Sequence, residues 1–136
     1  MALDTPVIRV SQVTKNLSLG SVQINVLRGV SMEVFRGEMV GIVGPSGSGK
    51  TTLLGIIGGL DLPSGGTVEI DGVDVSRMNE DRLTEIRNEK IGFVFQFFNL
   101  IPTLTALENV MLPIQFARRP QFPPEKRAKE LLAMFG

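Results

Sequence analysis

The chain has 136 residues, 14 of them basic and 14 acidic, with no His and no Cys, which is within the size of one ordinary domain. Its zero net charge and pI near 6.3 exclude a sequence-wide attraction to nucleic acid or anionic membrane, so any anion site must be local. Lacking Cys and His, it has no disulfide, no thiol nucleophile and no imidazole base, which leaves Lys, carboxylates, hydroxyls, amides and backbone for chemistry.

A hydrophobic share of 43% is enough for a buried core, and no apolar run approaches the roughly 18 residues needed to span a bilayer. A soluble chain in a reducing compartment, the cytosol by default, is expected. The opening MALDTPVIRV lacks the basic and long apolar regions of an export signal.

Residues 7–13 and 30–34 alternate apolar and polar side chains, as half-exposed strands do. Arg36 and Gly37 break the pattern, and residues 39–43 (MVGIV) then read as a strand covered on both faces. A buried helix is expected from Thr51 to Leu60, stopped by Gly58-Gly59 and Pro63. Residues 67–70 alternate and end on the turn signal Asp71-Gly72, which predicts a strand joining the first two in an antiparallel sheet.

A short surface helix is predicted over 79–88, capped by Asn79, with Leu83 and Ile86 on one face. Residues 91–95 (IGFVF) read as a second apolar strand ending at Gln96. Thr105 and Glu108 have capping-box spacing for a helix that Pro113 ends or kinks, and Pro123-Pro124 opens a last helix. Its Ala128, Leu131, Leu132 and Phe135 share a face that needs a partner. The mixed-charge run 80–90 reads as a solvated helix face rather than a binding patch.

Between the expected buried strand and the first helix lies Gly44-Pro45-Ser46-Gly47-Ser48-Gly49-Lys50-Thr51-Thr52. It matches G-x-x-x-x-G-K-[ST] at every fixed position, in the strand–loop–helix context that the chemistry requires. Glycines let successive N–H groups point into one concavity, where they and the helix N-terminus attract polyphosphate oxygens. Lys50 would reach the outer phosphates, and the Thr51 hydroxyl would complete the shell of a Mg2+ otherwise held by phosphate and water. A dinucleotide fingerprint is excluded, since Thr52 stands where its third glycine would be.

With VLRGVSMEVFRGEMVGIVGPSGSGKTTLL, GGLDLPSGGTVEIDG and IGFVFQFFNLIPTLTALENVMLP in that order, nearly the whole chain resembles the nucleotide-binding domain of an ATP-binding cassette (ABC) transporter. The last stretch is most similar to the subgroup serving lipoprotein release and macrolide export. The resemblance implies an α/β P-loop NTPase of ABC type: an antiparallel β subdomain, a partial parallel core sheet and the start of a helical subdomain. Residues 1–136 would be the N-terminal portion of that domain, through the Q-loop.

By the same resemblance the ligands are ATP and Mg2+. Gln96 would be the Q-loop glutamine near the metal or attacking water, sharing catalytic duty with Lys50. The stretch from Gln96 through Pro102 would meet a membrane-spanning subunit, the alternative being that Phe97 and Phe98 pack in the core. A second nucleotide-binding domain would be a partner, nucleic acid would not, and the assembled protein would lie on the cytoplasmic face of the inner or plasma membrane. Many members stack adenine on an aromatic residue of an early loop. Here Tyr and Trp are absent, and Leu17 with Val22 would offer apolar contact instead.

Hydrolysis in this family also uses an apolar strand ending in Asp-Glu, a switch His and an LSGGQ-like signature, none of which occurs in this chain. Nucleotide binding without appreciable turnover is therefore expected. The alternatives are a stand-alone, non-hydrolysing nucleotide-binding or regulatory module, and an unrelated P-loop kinase or GTPase, against which stands the lack of N-K-x-D.

Overall fold

The structure, a computed structural model, describes residues 5–117 and 121–136, which divide into two compact units meeting between Leu83 and Thr84. The first is organised by one antiparallel sheet of four strands: β1 (Ile8–Leu19), β2 (Val22–Val34), β3 (Gly65–Ile70) and β4 (Val73–Asp74), in the order β2-β1-β3-β4. Both early strands are longer than their alternation indicated, because Leu19 pairs with Val22 across a two-residue loop in which Gly20 takes φ 62°. The predicted Asp71-Gly72 turn joins β3 to β4 with positive φ at both residues, as a tight type I′ turn requires.

β1 pairs on both sides, and its register shifts near Gln12, whose φ is 49°. Gly66 of β3 faces that bulge so closely that a Cβ there would collide with the Gln12 backbone, so the crossing admits only glycine. Val10, Val13, Leu27, Val68 and Ile70 are buried from the sheet, joined by Val75 and Leu83 from the chain beyond β4. Full burial of such side chains contributes about 1.5–3 kcal/mol each. The buried Ser76 completes this region without an orphan polar group, its hydroxyl accepting from the Val68 N–H at 2.6 Å.

α1 (Lys50–Ile57) buries Leu53 and Ile56, and Gly58 ends it. The chain after it is tied back to β1: Lys15 Nζ donates to the Leu62 carbonyl at 2.8 Å and pairs with Asp61 at 2.7 Å, and the Ser64 N–H donates to Thr14 O at 2.8 Å. α2 (Glu80–Lys90) starts as expected, with the Asn79 side chain accepting from the Arg82 N–H.

In the second unit, α3 (Ala106–Met111) carries the complete Thr105/Glu108 capping box, passes at Pro113 into a 3-10 turn over Leu112–Phe116, and is followed by α4 (Pro124–Phe135). The apolar face of α4 has a partner within the chain. Ala128 is buried, and with Leu131 it lines an apolar crevice of about 140 Å³ closed by Val110, Met111 and Ile114, while Phe135 at the far end of the helix is exposed.

The fold is that of the ABC cassette, but among the described residues the expected parallel core sheet carries no ladder. Residues 39–43 and 91–95 form no regular element, and among the described residues the single sheet is antiparallel. Met39 and Val94 are fully exposed and Val43 nearly so, instead of covered on both faces. An apolar extended segment becomes a strand only when a neighbour takes its N–H and C=O groups, and neither segment has one among the described residues. Within the second segment the rings of Phe93 and Phe95, two residues apart, stack at 5.4 Å. Among the described residues, no helix is long and apolar enough to cross a membrane.

Candidate nucleotide-binding site

The loop before α1 is shaped by glycine and held by its own backbone. Gly47 and Gly49 take φ 78° and 96°, values that side chains other than glycine reach only at a cost, and the Ser48 N–H donates to Pro45 O at 3.2 Å to close the bend. Gly49 is the N-cap of α1. It provides no side-chain cap, and the first turn of the helix contains no acidic residue. The first N–H groups of α1 and the positive end of its dipole therefore face outward without a counter-charge.

Lys50 spans the loop. Its Nζ donates to Gly44 O and Pro45 O, both at 2.7 Å, with Ser48 Oγ at 3.4 Å. The ammonium is held over the loop by neutral carbonyls, which an anionic oxygen can replace with a stronger charge-assisted bond. Around it lies an open cavity of about 450 Å³, lined by Ser46, Gly47, Gly49, Lys50, Thr51, Thr52 and, from β2, Val26. Among the described residues, its wall contains one cation, several hydroxyls and backbone, and no carboxylate, a set that suits a polyphosphate. Thr51 is exposed on the wall and fits a metal that keeps phosphate oxygens and waters as its other ligands.

Such a cradle at the start of a helix occurs in many P-loop folds, and the wider sequence decides among them. A family profile described as ABC transporter matches residues 27–136. The chain belongs to the ABC transporter family. It is 56% identical over 130 residues to an uncharacterized ABC transporter ATP-binding protein of Thermotoga maritima, covering 96% of this chain and 56% of that protein. It is 53% identical to the lipoprotein-releasing system ATP-binding protein LolD of Bacteroides thetaiotaomicron (95% and 57% covered) and 46% identical to the macrolide export ATP-binding/permease protein MacB of Brucella abortus (93% and 20%). The expected subgroup is thereby supported.

Among solved structures it resembles the ABC cassette MJ0796 in a dimeric, post-hydrolysis state bound to ADP and Pi. The TM-score is 0.85 at 49% identity, covering 93% of this chain and 56% of that one. The chain thus spans a little over half the length of the first relatives it matches.

Within this ABC cassette fold, the residues picked out in sequence fall into three places. Those from Gly44 to Thr52 form the loop and the start of α1, with Lys50 and Thr51 on one cavity. Leu17 and Val22 lie on the β1–β2 hairpin, 43% and 59% exposed, and neither lines that cavity. Gln96 belongs to the second unit, exposed at the bend after residues 91–95. Phe97 and Phe98 after it are exposed rather than packed in the core.

One cavity residue carries no mark in the sequence. Val26 is the extra residue of a β-bulge, for Lys15 pairs with Leu27 and Asn16 with Asn25. An apolar residue in an alternating run gives no chemical signal, and only the register turns it to the loop.

Proposed function

We propose that this chain holds Mg·ATP in the loop from Gly44 to Thr52, as part of the ATP-binding subunit of an ABC transporter of the lipoprotein-release or macrolide-export type. The observation that carries this reading is the single cavity on which Lys50, Thr51, the loop backbone and the uncapped start of α1 converge, in a chain of this family. The backbone donors and Lys50 take the phosphate oxygens, Thr51 completes the Mg2+ shell, and Gln96 serves the metal or attacking water in the assembled protein.

The exposed residues Phe97, Phe98, Leu100 and Pro102 are the surface offered to a membrane-spanning subunit, with a second nucleotide-binding domain completing the assembly at the cytoplasmic face of the membrane. Binding without turnover is the behaviour proposed for the 136-residue chain itself. Among the described residues no carboxylate lines its loop cavity, and the chain has no His, so the cavity itself supplies no general base to deprotonate a water.

Titration of the chain with a fluorescent ATP analogue in Mg2+, alongside Lys50→Ala and a phosphate-release assay, tests both parts. Saturable binding that is lost in the variant, with no phosphate released, is expected. Lack of binding by the folded chain would refute the nucleotide site, and steady phosphate release would refute binding without turnover.

A further inference from the structure

The Lys50 ammonium has three N–H groups, and three oxygens of its own loop surround it: Gly44 O and Pro45 O at 2.7 Å and Ser48 Oγ at 3.4 Å. The two carbonyl distances lie at the short end of the charge-assisted range. All three acceptors are neutral, and they stand two to six positions before the lysine in the chain.

The backbone, rather than the lysine, builds this cradle. The Ser48 N–H donates to Pro45 O at 3.2 Å and closes the bend. Gly44 leaves room for the Ser48 hydroxyl, since a Cβ at position 44 would stand 2.9 Å from its oxygen. Neither relation involves the Lys50 side chain.

Lys50 lines the open cavity of about 450 Å³ at the start of α1, whereas Gly44, Pro45 and Ser48 do not. The cation thus stands between neutral oxygens on one side and the space proposed for phosphate on the other. It can serve both sides at once, with two N–H groups kept by the carbonyls and the third turned from the longer Ser48 contact to an anionic oxygen. Such a place asks of its occupant a positive charge, N–H donors and a head small enough to approach two oxygens at 2.7 Å. It does not ask for a covalent tether.

We infer that Gly44 O, Pro45 O and Ser48 Oγ form a binding site for a small primary ammonium, of which the Lys50 side chain is the tethered occupant. When the tether is cut, a free alkylammonium takes the site, and its binding and that of Mg·ATP favour each other. This coupling rests on the proposed nucleotide-binding reading of the Lys50 loop.

Chemical rescue tests it. Lys50→Ala removes Cγ, Cδ, Cε and Nζ and keeps Cβ, so propylammonium replaces the missing atoms. The wild-type chain and the folded variant are titrated calorimetrically with Mg·ATP, the variant alone, with propylammonium, and with tetramethylammonium at equal concentration, which has the charge but no N–H. Saturating propylammonium should lower the Kd of the variant by about fivefold or more, and tetramethylammonium should not. Lys50→Met, whose apolar chain fills the same space, should gain nothing from propylammonium. A wild-type chain that takes no Mg·ATP would overturn the nucleotide reading and this coupling with it. If the wild type binds, the cradle alone is overturned by a Lys50→Ala variant that propylammonium leaves unimproved, by equal improvement with tetramethylammonium, or by rescue of Lys50→Met.

Discussion

Gly49 lies against Val26 at the limit of close approach: a Cβ at position 49 would stand 3.0 Å from the Val26 carbonyl oxygen and 3.0 Å from Leu27 Cδ2. The N-cap of α1 is thereby pressed onto the β2 bulge, and the glycine-rich loop is registered against the antiparallel sheet as well as against its own helix. A glycine needed for the loop's conformation is needed a second time for packing.

The two glycines of the loop should therefore differ. A Cβ at Gly47 would meet nothing within 4 Å, so Gly47→Ala is expected to cost only its left-handed strain, about 1–2 kcal/mol. Gly49→Ala adds the clash with Val26 and Leu27, and a loss of about 2–4 kcal/mol is expected, with α1 displaced. Urea unfolding of the two variants checks the order, and equal midpoints would count against the registration.

Lys50→Ala separates binding from stability. The carbonyls of Gly44 and Pro45 that it releases are exposed and return to water, so unfolding should shift by less than about 1 kcal/mol. Loss of a charged donor to phosphate should weaken Mg·ATP by about 1.5–3 kcal/mol, roughly ten- to a hundredfold in Kd. Circular dichroism beside calorimetry reads both effects, and a variant that unfolds would contradict the assignment.

In the second unit, Asn109 fastens the turn before α3. Its Nδ2 donates to Ile101 O, Leu104 O and Thr105 O at 3.0–3.2 Å, and its Oδ1 accepts from the Ile101 N–H at 2.8 Å. Asn109→Ala should release the turn at a cost of about 1–2 kcal/mol. Amide hydrogen exchange should then rise over residues 97–105 while β1 and β3 keep their protection. Thr105→Ala, which removes the helix cap, should cost about 1 kcal/mol and fray α3 without that upstream change.

Acid should act on caps and turns before it acts on the core. The Lys15 side chain holds Asp61 below its ordinary value, the Ser76 side chain and then its N–H hold Asp74 low, and the Thr105 N–H lowers Glu108. Each folded-state pKa lies below the unfolded one, so the stabilisation is complete above the ordinary carboxylate range and is lost as pH falls through the depressed values. Unfolding midpoints should be level between about pH 5 and 7 and decline below about pH 4. Asp74→Asn should flatten part of that decline, and an unchanged profile would show that Asp74 has no share in it.

Much of the candidate phosphate site was legible because its geometry is local. Gly47, Gly49, Lys50 and Thr51 act through backbone conformation and short-range donors, both set by residue type and spacing. The Asn79 cap, the Thr105/Glu108 box, the Pro113 break and the Asp71-Gly72 turn were legible for the same reason, since each is a bond or a dihedral closed within four residues.

Relations between distant residues were settled only by the tertiary structure. The register that bulges Val26 toward Gly49, the closure of Gly66 on Gln12 and the covering of Ala128 by the α3 side of the crevice depend on partners many positions away. Residues 39–43 and 91–95 mark the boundary most clearly. Their apolar runs announce buried strands, yet among the described residues neither forms a ladder, because a strand is a property of two backbones and one sequence segment specifies only its own.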